Sequence, residues 1–293
     1  MRPLRSLLFV PGDSEKKLAK VDGCGADAVI LDLEDSVAPA NKRAARDLVA
    51  AFLKARPRAA RTVQLWVRVN PFDTGLTADD LAAIVPGDPD GIMQPKIDGP
   101  ADVRTLSGQL DALEAEHGLA SGAIRVLPVA TETPIAPFRL GDFATAGLTR
   151  LAGLTWGAED LSAALGASTN LGPDGTWAFT YQMVRSLTLL AAHAAGVPAI
   201  DTLYVNFRDD DGLRAASRAA RAEGFSGRLA IHPAQVAGIN AAFSPSDEEI
   251  AFARRIVAAF EAEPSIGTIG IDGKMYDLPH LKAALRTLAM VRG

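Results

Sequence analysis

The sequence predicts an α/β protein, a (β/α)8 barrel with a C-terminal helical extension, on three observations. Short runs rich in β-forming residues alternate eight times with helix-forming stretches along the 293-residue chain. Several of these runs are apolar almost throughout, as expected of parallel strands that are covered on both faces. The length also suits the fold, because one barrel of this kind commonly fills about 250 residues.

Each predicted strand is a short run that a helical stretch or a turn separates from the next. A doubly wound open sheet is the alternative architecture, but it would contain fewer strands, and no G-x-G-x-x-G motif follows the first run. The predicted strands are, in chain order, Ser6–Val10, Ala28–Leu33, Gln64–Val69, Gly91–Pro95, Ile124–Ala130, Arg150–Trp156, Ile200–Val205 and Arg228–His232.

Residues that favour helix starts precede the helical stretches. Asp13–Ser14 precedes EKKLAKV, Asn41 precedes KRAARDLVAAFLKA, and Thr77 precedes ADDLAAIV. The amphipathic segment Asp102–His117 ends before Gly118, a residue type common just after a helix. These helices are expected to cover the outside of the barrel.

The barrel is predicted to occupy residues 1–240, and a C-terminal helical extension to occupy residues 241–293. The extension contains a predicted helix, Asp247–Ala262, and a tail that ends in a second helix. Because the tail is neither low in complexity nor highly charged, we expect it to be structured. A structured segment beyond a complete barrel can cap that barrel or reach a neighbouring subunit, and we expect it at a subunit interface.

Composition excludes several classes of protein. The net charge is -5 and the basic residues are scattered, which argues against a nucleic-acid partner or an anionic membrane surface. No window approaches the roughly 20 apolar residues that a membrane span requires. A single cysteine, Cys24, excludes a disulfide framework and fits a reducing compartment. We therefore expect a soluble, cytoplasmic protein.

Two acids follow adjacent predicted strands: Glu132 after the fifth and Asp160 after the sixth. Catalytic residues of such barrels lie at the C-terminal ends of the strands, so these carboxylates could meet at the mouth. The 4 histidines are not spaced like a zinc-ligand pair. Carboxylate ligands with open positions suit Mg2+, or alternatively Mn2+. Other polar residues near strand ends are Asp32, Glu34, Asp35, Arg68, Asn70, Lys96, Thr131, Glu159, Asp201, Asn206 and His232.

These residues suggest an aldol or Claisen-type site. A divalent ion chelated by an α-keto or α-hydroxy acid can stabilise a developing enolate. Arg68 can bind a substrate carboxylate or carbonyl with its planar guanidinium, and Glu34 and Asp35 are further catalytic candidates. Lys96 could form a Schiff base, as in metal-free aldolases, but a supporting role beside the carboxylates of the second strand is favoured.

Each of these residues also has a purely structural interpretation. A single acid at a loop end is usually a solvated helix cap. Arg68 could pair inside the barrel with Asp32 or Glu34, although a buried ionic network is costly without a function. His232, which precedes Pro233, could bond only to the backbone.

A series of motifs resembles the citrate lyase β-subunit-like family, within the HpcH/HpaI aldolase superfamily. The chain opens with RSLLFVPGDSEKKLAK and continues with GADAVILDLEDSV. The resemblance covers nearly the whole chain in order. The further matching segments are VRVN at Val67–Asn70, PK at Pro95–Lys96, TETPIA at Thr131–Ala136, GAEDLSAALG at Gly157–Gly166, AAGVPAIDT at Ala194–Thr202, GFSGRLAIHPAQV at Gly224–Val236 and DGKMYDLPH in the tail.

The resemblance implies a (β/α)8 barrel in which Glu132 and Asp160 hold Mg2+ and Arg68 binds the substrate. It implies an acyl-CoA substrate such as malyl-CoA, citramalyl-CoA or citryl-CoA, and a homotrimer or homohexamer. Asp277 of the tail would serve the site of the neighbouring subunit. As an alternative, Asp277 only caps the last predicted helix, Leu278–Val291. The loop after Asp160 lacks the arginine expected of citrate-lyase-type sequences.

Three functions are compatible with the sequence. The first is a Mg2+-dependent acyl-CoA lyase or condensing enzyme, with malyl-CoA thioester hydrolysis as a close variant. The second is a metal-dependent aldolase that acts on free 2-keto acids. The third is a non-enzymatic assembly subunit, which would be favoured if one metal acid were missing, and neither is. The tail motif favours the first.

Overall fold

The computed structural model describes residues 4–263 and 265–291, and its centre is a sheet of eight parallel strands. Neighbouring strands follow the order β5-β4-β3-β2-β1-β8-β7-β6. This order is that of a barrel opened between its fifth and sixth strands. The strands are β1 (Ser6–Pro11), β2 (Ala28–Asp32), β3 (Gln64–Arg68), β4 (Gly91–Gln94), β5 (Arg125–Pro128), β6 (Leu154–Thr155), β7 (Ala199–Asp201) and β8 (Gly227–Ala230).

Backbone hydrogen bonds close the ring between β5 and β6. The Val126 N–H donates to the carbonyl of Arg150, and the Ala152 N–H donates to the carbonyl of Val126, both at 2.9 Å. Towards the other end of the seam, the Ala130 N–H donates to the carbonyl of Thr155 at 2.8 Å. The predicted (β/α)8 barrel is therefore confirmed.

Helices follow the strands and cover the outside of the barrel. Short 3-10 segments also occur, of which the longest is Ala136–Ala144 after β5. The helices are α1 (Glu15–Leu18), α2 (Lys42–Lys54), α3 (Thr77–Ile84), α4 (Pro100–Glu116), α5 (Ala158–Ala164), α6 (Phe179–Ala194), α7 (Asp210–Glu223), α8 (Pro233–Phe243), α9 (Asp247–Ala262) and α10 (Leu278–Val291).

Two apolar clusters hold the barrel together. The larger one lies between strands and helices and includes Val29, Leu31 and Val67. Side chains alternate between the two faces of a strand, so the intervening positions point into the barrel. They form a second cluster that includes Leu7, Ile30, Trp66, Met93, Leu127, Ile200 and Leu229, each from a different strand.

Trp66 fills the interior because the neighbouring strand has no side chain opposite it. Trp66 of β3 is paired in register with Gly91 of β4. A Cβ atom on Gly91 would lie 2.2 Å from Cζ3 of the indole ring, which is closer than any van der Waals contact allows. Gly91 is therefore required for space.

β6 is much shorter than the predicted strand Arg150–Trp156. The predicted run divides its backbone bonds between two neighbours: its first half bonds to β5, whereas the Leu154 N–H donates to the carbonyl of Pro198, before β7, at 3.0 Å. Only Leu154–Thr155 forms a regular ladder.

β7 ends at Asp201, whereas the sequence predicted a strand that continues to Val205. The Asp201 carboxylate accepts the N–H of Thr202 at 2.9 Å, which turns the chain away from the sheet. The same carboxylate accepts the indole N–H of Trp156 and pairs with buried Arg228. Asp201 thus belongs to the barrel wall.

β8 ends at Ala230, two residues before the predicted end at His232. The side-chain oxygen of Gln235 accepts the N–H groups of Ile231 and His232, so these groups cap α8 instead of extending the sheet. The other observed strand ends differ from the predicted ones by at most two residues.

The C-terminal extension packs on its own small core. A hairpin of β9 (Thr268–Ile271) and β10 (Lys274–Asp277) lies between α9 and α10, so the extension is not wholly helical. Its buried core includes Ile256, Phe260 and Ala284. The predicted domain boundary at residue 240 falls inside α8.

Some of the predicted helix ends are confirmed and one is wrong. Asn41 occupies the cap position of α2, whereas Thr77 is the first residue of α3 and not its cap. Gly118 follows α4 with a positive φ of 67°, as predicted for that position.

Among the described residues, no helix is both long and apolar enough to cross a bilayer.

Gly91→Ala is predicted to destabilise the barrel, because the added methyl group must displace the Trp66 ring. Overpacking of this kind costs about 1–3 kcal/mol. We expect a lower midpoint of urea unfolding, measured by circular dichroism. Gly108→Ala is the matched control, since a Cβ there meets nothing within 4 Å and alanine favours the helix. Equal midpoints for the Gly91 variant and the unmodified protein would contradict this packing.

Candidate active site at the mouth of the barrel

Arg68, the last residue of β3, is held by two acids from the end of β2. Its Nε and Nη2 donate to the two oxygens of Asp32 at 2.7 and 2.8 Å. Its Nη1 lies 2.8 Å from Oε2 of Glu34. The structural pairing that the sequence left open is thus present, and it fixes the guanidinium plane at the C-terminal end of the strands.

Lys96 links the second strand to the sixth. Its ammonium group donates to Glu34 and lies 3.3 Å from a carboxylate oxygen of Asp35. It also lies 3.3 Å from Oδ1 of Asp160. These contacts place Lys96 beside the second-strand carboxylates, as expected of a supporting residue, and its role stays a prediction.

The backbone of Lys96 contacts a fourth acid. Its N–H donates to Oε2 of Glu132 at 2.6 Å, and its φ of 50° is unusual for a residue with a side chain. Such strain persists where the surroundings enforce it, and it often marks a functional site. Lys96 therefore contacts both acids that the sequence proposed as metal ligands, Glu132 by its backbone and Asp160 by its side chain.

Burial and neighbouring charges shift the pKa values of these acids. Burial raises the pKa of Glu132 well above its usual value, and the nearby negative charge of Asp160 raises it further. Burial also raises the pKa of Glu34, despite Arg68 and Lys96. For Asp32, burial raises the pKa, but the hydrogen bonds and positive charge of Arg68, with further hydrogen bonds from Ser36 and Glu34, together outweigh it, so the pKa is lowered.

Glu132 and Asp160 line one pocket of about 420 Å³, together with Lys96. Glu132 comes from the loop after β5, and Asp160 from the first turn of α5 after β6. The sequence did not single out most of the other lining residues, which follow β3, β4 and β5 or belong to α4 and α5. These are Phe72, Asp73, Asp98, Asp102, Thr133, Pro134 and Ala164.

The donor set fits a hard divalent cation with open coordination positions. Glu132 is buried beside a second carboxylate, an arrangement that a positive ion would stabilise. In the part of the chain that the structure describes, no cluster of three or more histidine, cysteine, aspartate or glutamate side chains is arranged as a metal cage. Two carboxylates would leave positions for water and substrate oxygens, as Mg2+ commonly requires.

Asp277 lies apart from this pocket, at the end of β10. Its Oδ1 is 2.5 Å from Nδ1 of His280, and its side chain is 45% exposed. It is not among the residues that line the pocket of Glu132 and Asp160. Arg68, Glu34 and Asp35 do not line that pocket either, but ion pairs through Glu34 and Lys96 join them to it. A single copy of the chain thus brings together all the predicted site residues except Asp277.

Asp80, a buried residue that the sequence did not indicate as part of the site, holds Asn70 beside the loop that carries Glu34. Asp80 accepts the backbone N–H and the side-chain amide of Asn70, each at 2.7 Å, and pairs with Arg46. Asn70 also donates to the carbonyl of Leu33, the residue before Glu34. Asp80 lies in the first turn of α3, where acids are common, so its sequence context gives no sign of this role.

Known proteins are similar to this chain along nearly its whole length. A family model described as HpcH/HpaI aldolase/citrate lyase matches residues 5–233. A (3S)-malyl-CoA thioesterase of Cereibacter sphaeroides is 38% identical over 291 residues, covering 98% of this chain and 94% of that protein. A mitochondrial citramalyl-CoA lyase of Rattus norvegicus is 33% identical, covering 96% and 84%.

A solved structure is similar over the same length. It is the protein CitE from Mycobacterium tuberculosis in complex with magnesium, acetoacetate and coenzyme A. The two chains are 34% identical, the TM-score is 0.80, and the match covers 99% of each chain.

Lys96 is predicted not to form an imine, because its ammonium group is paired with Glu34 and lies near two further carboxylates. Burial lowers the pKa of Lys96, but these acids outweigh burial and raise it above its usual value, so the amine stays protonated. Treatment with acetoacetate and borohydride should leave the mass of the Lys96 peptide unchanged. A reduced adduct on that peptide would establish an imine mechanism instead.

Proposed function

This chain belongs to the HpcH/HpaI aldolase/citrate lyase family, and we propose that it is a Mg2+-dependent carbon–carbon lyase. Its substrate is a 3-hydroxyacyl-CoA thioester of the malyl-, citramalyl- or citryl-CoA type. Relatives at 33–38% identity are named for malyl-CoA and citramalyl-CoA, and a similar structure contains magnesium and coenzyme A.

The observation that carries the proposal is the pair formed by Glu132 and Asp160 at one pocket. The two acids follow neighbouring strands, and their mutual repulsion contributes to the raised pKa of Glu132. A bound Mg2+ ion would be held by these carboxylates and would stabilise negative charge on a substrate oxygen. The positions it leaves open suit a substrate that chelates through two oxygens.

Arg68 orients the substrate in this proposal. Its side chain is only 12% exposed and its guanidinium group is fixed by Asp32 and Glu34, so it offers a donor in a defined position. A substrate carboxylate or carbonyl is the matching acceptor. Lys96, at the edge of the same pocket, adds a second positive charge for the substrate.

Cleavage of a 3-hydroxyacyl thioester needs a base for the hydroxyl proton and an acid for the carbon that leaves as an enolate. Glu34 and Asp35 are the acid–base candidates within one subunit, since both contact Lys96 at the mouth. Asp277 is the candidate supplied by a neighbouring subunit. Its exposed position on the hairpin of the extension leaves it free to approach another copy.

A homo-oligomer, a trimer or hexamer, is part of the proposal. Large apolar side chains are exposed on α6 and on the nearby 3-10 segment, with Phe138 at 84% and Phe179 at 78% exposure. Met183 and Leu190 continue the exposed apolar row along α6. Clustered apolar residues of this size commonly mark a protein–protein contact.

A panel of substrates distinguishes this function from its alternatives. Malyl-, citramalyl- and citryl-CoA, the corresponding free hydroxy acids and a set of free hydroxylated 2-keto acids are each assayed with and without Mg2+. Release of a shorter acyl-CoA together with a keto acid supports the lyase. Release of free coenzyme A and an intact hydroxy acid supports thioester hydrolysis, and turnover of free 2-keto acids only supports the aldolase.

Glu132→Gln and Asp160→Asn are each predicted to abolish Mg2+ binding and lyase activity while the fold is retained. Each change removes one negative charge from the proposed metal site without a change of size. Binding is measured by calorimetric titration with MgCl2, and folding by circular dichroism. Glu159→Gln is the matched control, because its side chain bonds to Asn170 and does not line the pocket. Full turnover by either variant in chelator-treated buffer would exclude the metal role.

Asp277→Ala is predicted to leave Mg2+ affinity unchanged and to lower kcat at least about tenfold, as is common when an acid–base group is lost. Asp272→Ala is the control, because Asp272 is an exposed acid of the same hairpin that pairs with Arg255. Unchanged kcat for the Asp277 variant would leave this residue only a structural role at the start of α10.

Mixing an inactive variant with an impaired one tests whether Asp277 acts on a neighbouring subunit. A mixed oligomer of the Glu132→Gln and Asp277→Ala chains contains some sites with both residues intact, if the residues come from different copies. Activity should then reappear after the subunits are exchanged. No recovery, with mixed oligomers verified by mass spectrometry, would argue that Asp277 does not act across subunits.

A further inference from the structure

Gly157 lies directly against the side chain of Glu132. A Cβ atom on this glycine would be 2.8 Å from Cγ of Glu132 and 3.0 Å from its Oε1. It would also be 3.2 Å from Cγ1 of Val129. These separations are shorter than van der Waals contact, so any other residue at 157 would displace the Glu132 carboxylate.

The backbone of Gly157 has an ordinary extended conformation, with φ -121° and ψ 113°. Residues with side chains adopt these angles readily, so the glycine is not required for its flexibility. Position 157 instead requires a residue without a side chain, because the Glu132 side chain occupies the space of a Cβ atom. On the other side of the same carboxylate, the Lys96 N–H donates to Oε2 at 2.6 Å. Glu132 is therefore confined between two segments of backbone.

Gly157 also connects the two acids of the site. Its N–H donates to the hydroxyl of buried Thr131, the residue before Glu132, at 3.1 Å. Three residues after Gly157 comes Asp160, in the first turn of α5. The position of the Glu132 carboxylate relative to Asp160 thus depends on how closely the backbone at 157 approaches.

We propose that Gly157 sets the spacing of the Glu132 and Asp160 carboxylates and thereby makes the site prefer Mg2+ to a larger divalent cation such as Ca2+. The inference rests on the proposed function, in which these two acids hold the metal. Mg2+ requires near-ideal octahedral geometry with oxygens at about 2.0–2.1 Å, whereas Ca2+ accepts irregular shells at about 2.3–2.6 Å. A displaced carboxylate is therefore expected to weaken Mg2+ binding much more than Ca2+ binding.

The test is Gly157→Ala, titrated calorimetrically with MgCl2 and separately with CaCl2. We expect the Kd for Mg2+ to rise at least about tenfold and the Kd for Ca2+ to change less than about threefold. Gly141→Ala is the control, because Gly141 is exposed and a Cβ there meets nothing within 4 Å. Its two dissociation constants should equal those of the unmodified protein.

A second variant keeps the test decisive if the single change prevents folding. Gly157→Ala combined with Val129→Ala removes the contact with the valine methyl group and leaves the contact with Glu132. This double variant is compared with Val129→Ala alone, and the same loss of Mg2+ preference is expected.

The outcomes separate the two proposals. If the unmodified protein binds no Mg2+, the proposed function itself fails. If it binds Mg2+ and the Gly157 variant keeps the same ratio of Mg2+ to Ca2+ affinity, the inference about Gly157 fails while the metal site stands. Equal weakening for both ions has the same meaning, since it indicates general disruption and not a change of spacing.

Discussion

Hydrogen bonds across the seam between β5 and β6 close the barrel, and the candidate site depends on this closure. The Ala130 N–H bonds to the carbonyl of Thr155, which places the loops after both strands side by side. Glu132 lies two residues beyond one end of this bond, and Gly157 two residues beyond the other. Because the seam fixes the relative register, the Glu132 carboxylate comes to lie against the Gly157 backbone. The candidate site at the mouth can therefore form only when the ends of β5 and β6 are paired in this register.

Charge at the mouth is balanced only in part by the protein itself. Five strand-end acids, Asp32, Glu34, Asp35, Glu132 and Asp160, face three cations, Lys42, Arg68 and Lys96. Counted as fully ionised, these five acids leave two negative charges without a counterion, and Asp73, Asp98 and Asp102, which line the same pocket, add to the excess. Glu132 feels this excess most directly, because burial and the negative charge of Asp160 both raise its pKa. A divalent cation would reduce this excess of negative charge.

The barrel and the meeting of Glu132 and Asp160 at one pocket could be predicted because they depend on local pattern. Apolar runs of strand length recur eight times, and acids that follow neighbouring strands must meet at one end of a parallel barrel. The ends of β7 and β8 could not be predicted in the same way, because Asp201 and Gln235 cap the backbone through side-chain bonds that do not alter the apolar pattern. The contact of Gly157 with Glu132 could not be predicted either, because a contact in space between two separate loops has no signature in the sequence.

Lys96 joins backbone geometry and charge at the mouth in one residue. A non-glycine residue with φ near 50° carries strain of about 1–3 kcal/mol, which must be offset by its surroundings. The offset comes from the ion pair with Glu34 and from the N–H donated to Glu132. Glu132 lines the pocket and Glu34 is a proposed acid–base residue beside it, so the strained conformation is stabilised by the acids that the proposed reaction needs. Relaxation of the backbone at Lys96 would release Glu132, and the geometry of the mouth is therefore held by the charges that it presents to the substrate.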